Sequence, residues 1–285
     1  MSCFQSSLAS HHDLVFLAPS DTSMTALFQN TWRSNDVYTR LLSEMQRLRG
    51  RIYLKDGALS PSHLSEDGRH IAALDEKSWH LLILNHAGRV LGCLRFYRLP
   101  PLSRFSSINF RRGTVFRSRL WGRNVRNALQ SEMVSARYAK AAFIELGGWA
   151  LAEELRNTTE ALRSVIAAYA WSEFLGGALC ITTATQRNGS ASILRRVGGR
   201  ALGWDGAEFP PYFDENYGCQ MELLRFDSSC PNPKYRHIID DLKLNLPKIP
   251  VISRKPLGLL QKVAAHIPRP SQAPLWAEEL IHNFN

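Results

Sequence analysis

Long apolar runs are missing from this chain of 285 residues: none approaches the roughly 20 consecutive apolar residues that a membrane-spanning helix requires. The first residues lack a basic stretch followed by an apolar one, so we expect no secretory signal and a cytoplasmic location. The five cysteines are scattered, and the sequence has no Cys-x-x-Cys or His-x-x-x-His spacing. We therefore expect reduced thiols and no metal site.

Acidic residues are fewer than basic ones, with 25 Asp and Glu against 35 Lys and Arg and a net charge of +10. Much of the excess lies in one stretch with interleaved Phe and Trp, which contains Arg104, Arg111, Arg112, Arg117, Arg119, Arg123 and Arg126. The stretch is either a solvated basic surface or a docking surface for an acidic protein or an anionic membrane. Nucleic-acid binding is disfavoured, because no nucleic-acid-binding motif accompanies the arginines.

The composition, 45% hydrophobic and 21% charged, is that of a soluble globular protein. A chain of this length can bury one large core. Strand and helix patterns continue to about residue 226, and beyond it prolines and basic residues become frequent. We therefore predict one domain over residues 1–227 and a Pro-rich, basic C-terminal extension over residues 228–285, either wrapped over the domain or tethered to it.

The N-terminal half has strand, helix and hairpin patterns that are separated by one long polar stretch. The predicted elements are a strand at 13–19, a helix from about Met24, a helix at 36–49 that ends at Gly50, a β-hairpin at 79–85 and 90–97, and a helix at 120–140. Residues 56–77 are rich in Gly, Ser, Asp and Pro, which predicts a long loop.

Residues 141–199 carry the most informative pattern. An apolar strand at 141–151 contains one carboxylate, Glu145, and the pair Gly147-Gly148, which is typical of a β-bulge or of close approach by another backbone. A loop, a helix that ends at Gly176, an uncharged strand at 177–185 and a helix from Asn188 follow. A bulge would part the two strands and open a slot between them. Alternatively, the glycines only let a helix pack closely.

The loop before the first of these helices is suited to phosphate, because a helix N-terminus offers unpaired N–H groups and a positive dipole end. Here the chain resembles the GNAT acyltransferase superfamily. The phosphate loop of that superfamily reads Arg/Gln-x-x-Gly-x-Gly/Ala, and Arg156, Thr159 and Ala161 match its first, fourth and sixth positions, with Thr in place of the middle Gly.

This resemblance implies an α/β (α+β) fold with a mixed, mostly antiparallel sheet that is flanked by helices and splayed at its centre. It also implies an acyl-thioester donor, either acyl-CoA or the acyl-phosphopantetheine of an acyl carrier protein. The residues expected to hold the donor are Trp149, Leu151, Arg156, Asn157, Thr158, Thr159, Glu160, Ala161 and Asn188. For Asn188, capping of its helix would be an equally good explanation.

Glu145 is the predicted general base or amine-positioning carboxylate, because apolar neighbours should raise its pKa toward neutrality. Backbone N–H groups at Gly147 and Gly148 would stabilise the oxyanion. The alternative is a Glu145 that faces solvent, since strand alternation does not say which face is wet. GNAT enzymes often take a proton donor for the thiolate from a Tyr in the last helix. This chain has no Tyr there, which leaves Ser190, Ser192 or solvent.

Within the superfamily, the chain resembles the branch of acyl-homoserine-lactone synthases and long-chain N-acyl amino acid synthases. The residues that carry this resemblance, in order, are Arg49 or Arg51 with Tyr53, then Asp75, Gly92 with Arg95, and Glu145. The branch often has an Arg three residues after the Glu, where this chain has Gly148. An amino acid or other small amine is therefore favoured as acceptor over a large sulfonium nucleotide.

Three side chains are predicted to contact the acceptor or the acyl chain, namely Arg95, Asp75 and Tyr212. Arg95 would pair with an acceptor carboxylate, or else is a surface charge at the end of its strand. Tyr212 belongs to a group of aromatic residues that line an acyl channel or form part of the core.

The predicted function is therefore N-acyl transfer of a long-chain acyl group from an acyl-CoA or acyl carrier protein thioester to a small amine, without a covalent acyl-enzyme. One alternative is acetyl-CoA-dependent acetylation of a protein, polyamine or antibiotic, and another is a non-catalytic thioester-binding sensor or scaffold. The acidic partner of the arginine-rich stretch would be the acyl carrier protein. Contact with an anionic membrane would instead make the protein peripheral to the inner face of the membrane.

Overall fold

The computed structural model describes residues 12–19 and 27–254. The strands are β1 (Asp13–Leu17), β2 (Thr31–Arg33), β3 (Trp79–Leu84), β4 (Val90–Arg98), β5 (Ala142–Leu151), β6 (Ala178–Thr185), β7 (Arg200–Ala201), β8 (Gly203–Trp204), β9 (Ala207–Glu208), β10 (Tyr212–Asp214), β11 (Cys219–Asp227) and β12 (Val251–Ser253). The helices are α1 (Asn35–Lys55), α2 (Thr114–Arg117), α3 (Gly122–Tyr138), α4 (Glu160–Phe174), α5 (Ser190–Arg196) and α6 (Arg236–Asn245). Among these helices, none is long and apolar enough to cross a membrane.

Ten of the strands form one sheet in the order β10-β11-β6-β5-β4-β3-β1-β12-β2, with β7 also paired to β11. The pairs β5–β6, β1–β12 and β12–β2 are parallel, and the other pairs in the sheet are antiparallel. The predicted mixed, mostly antiparallel sheet flanked by helices is confirmed. The predicted hairpin is also confirmed, as β3 and β4.

At β5 and β6 the two faces of the sheet bury separate apolar cores, because successive side chains of a strand point to opposite faces. Ile144 of β5 and Cys180 of β6 belong to the larger core, which includes side chains of α1 and α4. Phe143 and Ile181 belong to the second core, which includes side chains of α3 and of residues 99–115. The chain before α3 therefore lies on the sheet face opposite α4.

The predicted end of the first long helix at Gly50 is wrong, because α1 continues to Lys55. A Cβ atom at position 50 would lie 2.6 Å from the carbonyl oxygen of Gly68. The glycine therefore permits close packing of the following loop and does not mark a helix end. The helix predicted from about Met24 begins outside the described residues.

The segment after residue 227 continues the same folded unit as far as β12. Arg236 of α6 donates two hydrogen bonds of 2.7 Å to Glu173 of α4. Strand β12 lies between β1 and β2, and its register pairs Val251 with Phe16 and with Thr31. Residues 228–254 of the predicted extension therefore pack against elements of residues 1–227. Residues 255–285 of the predicted extension lie outside the described residues.

Candidate active site

Strands β5 and β6 are paired at one end and separated at the other. Their parallel pairing covers four positions, from Ala142 with Ala178 to Glu145 with Ile181, and then stops. From Leu146 onward, the edge of β5 that faces β6 has no strand partner in the part of the chain that the structure describes. The predicted splay at the centre of the sheet is confirmed.

A bulge in β5 accompanies the separation. Arg95 of β4 pairs with Gly147 and Cys93 pairs with Ala150, so two residues of β5, Gly148 and Trp149, oppose one residue of β4. Gly148 has a φ of +62°, a conformation that favours glycine. The Cys93 thiol donates a hydrogen bond of 3.2 Å to the carbonyl of Gly148. A bulge therefore begins at the second glycine of the Gly147-Gly148 pair, where the sequence predicted one.

The gap between the strands is part of a cavity of about 720 Å³. Its walls include Leu146, Gly147, Gly148, Trp149, Ala150 and Leu151 of β5, and Thr182, Thr183, Ala184 and Thr185 of β6. One end is lined by Glu145 with Asn109 and Phe110, and another part by Arg156 and Asn188. The cavity therefore connects the predicted base with the predicted phosphate loop, and it leaves room for a slender ligand between them.

Glu145 lies at the point where the two strands part, and its exposed fraction is only 3%. The backbone N–H of Asn109 donates a hydrogen bond of 2.6 Å to its Oε1 atom. Burial raises the pKa of Glu145 to about 7, although the backbone N–H groups of Asn109 and Phe110 and the charge of Arg95 favour the ionised form. A carboxylate with this pKa can accept and release a proton near neutral pH.

A buried ionic cluster lies behind the bulge. Arg49 donates to both carboxylate oxygens of Asp75, at 3.0 and 2.6 Å. Arg95 is 3.6 Å from the same carboxylate, and its buried Nε has no hydrogen-bond partner among the described residues. Burial opposes ionisation of Asp75, but Arg49 lowers the pKa of Asp75 to about 2.

The cluster therefore holds two guanidinium groups and one carboxylate. Burial lowers the pKa values of the nearby His70 and His80 to about 4, so both imidazoles are neutral at pH 7. One positive charge is left in excess beside the cavity. It belongs to Arg95, because Arg95 lines the cavity and Arg49 is already paired in bidentate fashion. This arrangement suits a ligand with a carboxylate group.

The predicted phosphate loop lies at the mouth of the cavity. Arg156, Asn157 and Ala161 line it, and Arg156 is held by a hydrogen bond of 3.2 Å to Asp56. Asn157 has a φ of +61°, which turns the chain into the first turn of α4. A second guanidinium, that of Arg187, reaches the same place by donating to the backbone carbonyl of Asp56. Two cations and a helix N-terminus therefore converge at one opening.

Asn188 lines the cavity but does not begin the helix. The N-cap of α5 is Gly189, with a φ of +71°, and the helix starts at Ser190. The prediction that Asn188 caps this helix is wrong by one residue, because Gly189 in its left-handed conformation is the cap. The side chain of Asn188 is therefore not needed for capping.

Several predicted site residues do not line the cavity. The Thr158 hydroxyl donates to the carbonyl of Leu155 and accepts from the N–H of Glu160, so it closes the loop. The Glu160 carboxylate is buried beside Arg163 and His12, on another side of the helix. Thr159 is the exposed N-cap residue of α4.

Two of the predicted acceptor residues also lie off the cavity. Tyr212, on β10, pairs with Met221 and packs against the second core, and Asp75 lies behind Arg95. The predicted residues that do line the cavity are Arg95, Glu145, Gly147, Gly148, Trp149, Leu151, Arg156, Asn157, Ala161 and Asn188.

Two tyrosines in the cavity wall were not predicted as proton donors. Tyr53 donates a hydrogen bond of 3.4 Å to the carbonyl of Trp149, and burial raises its pKa. The Tyr217 hydroxyl has no hydrogen-bond partner within the described residues, and burial raises its pKa as well. Both hydroxyls therefore stay protonated at neutral pH. Their sequence neighbourhoods carry no signal of this role, because α1 and the turn before β11 meet only in the folded chain.

No protein-family model matches the chain, and no curated protein sequence matches it significantly. The structure is similar to that of the CoA-dependent acyl-homoserine lactone synthase BjaI, both with MTA and with SAM and isopentyl-CoA. In both comparisons the TM-score is 0.52 and the identity 15%, over 95% of this chain and 99% of BjaI. FeeM, an N-acyl amino acid synthase from uncultured soil microbes, gives a TM-score of 0.43 and 10% identity over 76% of this chain and 92% of FeeM. The similarity to BjaI shows the fold, so the GNAT-like fold of the lactone-synthase branch is confirmed.

Proposed function

We propose that this protein is an N-acyltransferase that moves an acyl group from a thioester to the amine of a small molecule. The observation that carries the proposal is the gap between β5 and β6, which opens directly after the buried Glu145. A thioester arm laid in this gap would bring its carbonyl beside a carboxylate of pKa about 7. When both reactants are held in one slot, the reaction no longer has to overcome the entropy loss of bringing two free molecules together.

The reaction proceeds by direct attack. The amine nitrogen attacks the thioester carbonyl carbon, a C–N bond forms and the C–S bond breaks. Glu145 accepts the proton that the nitrogen loses, and later releases it to solvent. The Tyr217 hydroxyl donates a proton to the departing thiolate and regains one from solvent. The unpaired edge of β5 near Gly147 and Gly148 supplies N–H groups for the oxyanion.

The donor is an acyl thioester of coenzyme A or of an acyl carrier protein. Arg156, Arg187 and the N-terminus of α4 would bind its phosphate, with Asn188 on the pantetheine arm. The fold that this chain shares with BjaI, whose structure contains isopentyl-CoA, supports a thioester ligand. An acidic carrier protein would give a Michaelis constant that rises steeply with salt, whereas acyl-CoA would give a weaker dependence.

The acceptor is an amino acid. Its carboxylate would pair with Arg95, because the Nε of Arg95 is buried without a partner among residues 12–19 and 27–254 and its charge exceeds what Asp75 compensates. Gly147 lies opposite Arg95 in the β4–β5 pairing, and Glu145 is two residues earlier on the same face. The amine of an amino acid bound at Arg95 would therefore point toward Glu145.

The reduced state of Cys93, Cys180, Cys219 and Cys230 agrees with a reaction in the cytoplasm.

The test is mass spectrometry of lipid extracts from cells that overproduce the protein. We expect an N-acyl amino acid to accumulate with the wild type and not with Glu145→Gln, because the variant lacks the proton acceptor. Products of acetyl transfer to protein, polyamine or antibiotic would instead favour an acetyltransferase. If no amide forms with any acyl-CoA or acyl carrier protein substrate in vitro, the proposal is wrong and a thioester-binding sensor is the better explanation.

A further inference from the structure

The chain between β4 and the first turns of α3 is strongly basic. Residues 98–126, the arginine segment, contain eight arginines and no acidic residue. Its formal charge of +8 compares with +10 for the whole chain. Charge of one sign at this density attracts an anionic surface over a distance of about 10 Å at moderate salt.

The segment is fixed to the protein by its apolar side chains. Ile108 and Val115 are buried in the second core. Its aromatic residues are packed against that core or against one another, namely Phe105, Phe110, Phe116 and Trp121. The arginines of the segment whose side chains are exposed are Arg98, Arg104, Arg117, Arg119, Arg123 and Arg126.

Several exposed arginines of the segment have no acidic partner among the described residues. Within the described residues, Arg104, Arg119 and Arg123 form no ion pair, and Arg126 contacts only the face of the Phe105 ring, at 5.1 Å. Isolated guanidinium groups of this kind are free to pair with phosphate. A basic surface that contacts only solvent would show the same unpaired arginines, so charge alone does not identify a partner.

Two exposed leucines on the arginine segment indicate what kind of partner it binds. Leu102 is 88% exposed and Leu120 is 72% exposed, although each lies within three residues of an exposed arginine. Large apolar side chains that project from a basic surface suit the boundary between lipid headgroups and acyl chains. The aromatic rings are used in packing, so they are not exposed for stacking on nucleic-acid bases, as a single-stranded nucleic acid would require.

We propose that the arginine segment docks on an anionic phospholipid bilayer, with Leu102 and Leu120 inserted and the arginines on the phosphates. The position of the segment disfavours an acyl carrier protein. It packs on the sheet face opposite α4, whose N-terminus carries the loop suited to the phosphate of a pantetheine arm. A carrier docked at the segment would hold its arm on the wrong face.

The docking surface is joined to the site by Asn109, whose N–H holds Glu145, and by Phe110 in the cavity wall. An amphiphilic product would therefore leave the cavity beside the membrane. The docking itself goes beyond the proposed activity, because vesicle binding is measured without turnover and can fail or succeed independently of it.

The test is co-sedimentation of the full chain with vesicles of phosphatidylcholine alone or of equal parts phosphatidylcholine and phosphatidylglycerol. We expect binding to the anionic vesicles only, weakened by salt. Each arginine at such a surface strengthens binding about fivefold, so R119Q/R123Q should weaken it about 30-fold. L102S/L120S should weaken it at least tenfold. The matched control is R196Q/R200Q, which removes two exposed arginines outside the segment and should change binding little.

Folding of each variant is checked by its thermal unfolding midpoint, which exposed substitutions should leave nearly unchanged. The proposal is overturned if the anionic vesicles do not bind, or if the control pair weakens binding as much as R119Q/R123Q. It is also overturned if the L102S/L120S variant binds like the wild type. Binding of an acidic acyl carrier protein that R119Q/R123Q abolishes, without vesicle binding, would assign the surface to that protein.

Discussion

Replacement of Glu145 by Gln should make the protein more stable at alkaline pH while it removes the activity. Burial raises the pKa of Glu145 from 4.5 to about 7 in the folded state. Between these two values the unfolded chain has lost the proton and the folded chain keeps it. The folded state therefore loses stability as pH rises through this window, by about 3 kcal/mol in total.

The glutamine variant does not have this loss, because its side chain is neutral at every pH. Its carbonyl oxygen can still accept the hydrogen bond from the N–H of Asn109. We therefore expect similar stabilities for wild type and Glu145→Gln near pH 5, and a variant that is more stable by about 2–3 kcal/mol near pH 8. Urea unfolding at both pH values measures the difference, in which the titrations common to both proteins cancel.

Activity should change in the opposite direction. Loss of a general base lowers kcat/KM by about 10²–10⁴-fold, and the remaining activity should lack the rise through pH 7 that the wild type shows. A matched control is Glu222→Gln, since Glu222 is also buried but accepts a hydrogen bond of 2.6 Å from Arg195. This control should lose stability at both pH values. A stability gap for Glu145→Gln that is the same at both pH values would refute the assignment of Glu145 as a desolvated carboxylate.

Three further variants test the site. The Asp75→Asn variant leaves the buried Arg49 without its carboxylate partner. Urea unfolding should show a free energy of unfolding lower by about 3–5 kcal/mol. A loss below about 1 kcal/mol would contradict the buried pairing. The Gly148→Ala variant places a Cβ on a residue with a φ of +62°, 3.2 Å from Nη1 of Arg49. Thermal unfolding should show a free energy of unfolding lower by about 1–3 kcal/mol. The loss should be smaller for Gly147→Ala, because Gly147 does not have a positive φ. Arg156→Gln should raise the Michaelis constant for the thioester several-fold and leave the unfolding free energy within about 0.5 kcal/mol, since its pair with Asp56 is partly exposed; an unchanged Michaelis constant would remove Arg156 from the donor site.

The part of the site that local sequence predicts is the part built by consecutive residues. Glu145 and the Gly pair that follows it two and three residues later on one apolar strand predict a buried carboxylate beside a bulge, because strand alternation and the conformational freedom of glycine act over a few residues. The prediction that α1 ends at Gly50 was wrong because the local sequence does not show which distant residues pack against a glycine. A glycine inside α1 permits close packing, and only the distant Gly68 segment that packs there distinguishes this from a helix end.

The rest of the site depends on contacts between residues far apart in sequence. Tyr217 and Arg187 reach the cavity because β11 pairs with β6. Tyr217 belongs to the aromatic group that was predicted to line an acyl channel or to form part of the core, whereas no local pattern indicates Arg187. Strand β12 is three residues long and was obscured by nearby prolines, yet it completes the sheet beside β1. The family resemblance named Asp75 and Arg95 as candidate substrate-binding residues, but their contact with each other and their burial with Arg49 followed only from the fold.

The position of Glu145 explains why one residue can be both buried and reactive. It is the last residue of β5 that pairs with β6, so the paired side shields the carboxylate and the open side admits a ligand. One residue earlier, Ile144 lies within the paired strands and faces the other core. Two residues later, Gly147 lies beyond the paired positions, and a Cβ there would be 3.3 Å from Nη2 of Arg95, so the charge of Arg95 would lower the pKa of a carboxylate at this position. The point of strand separation therefore sets the pKa of the base as well as access to it.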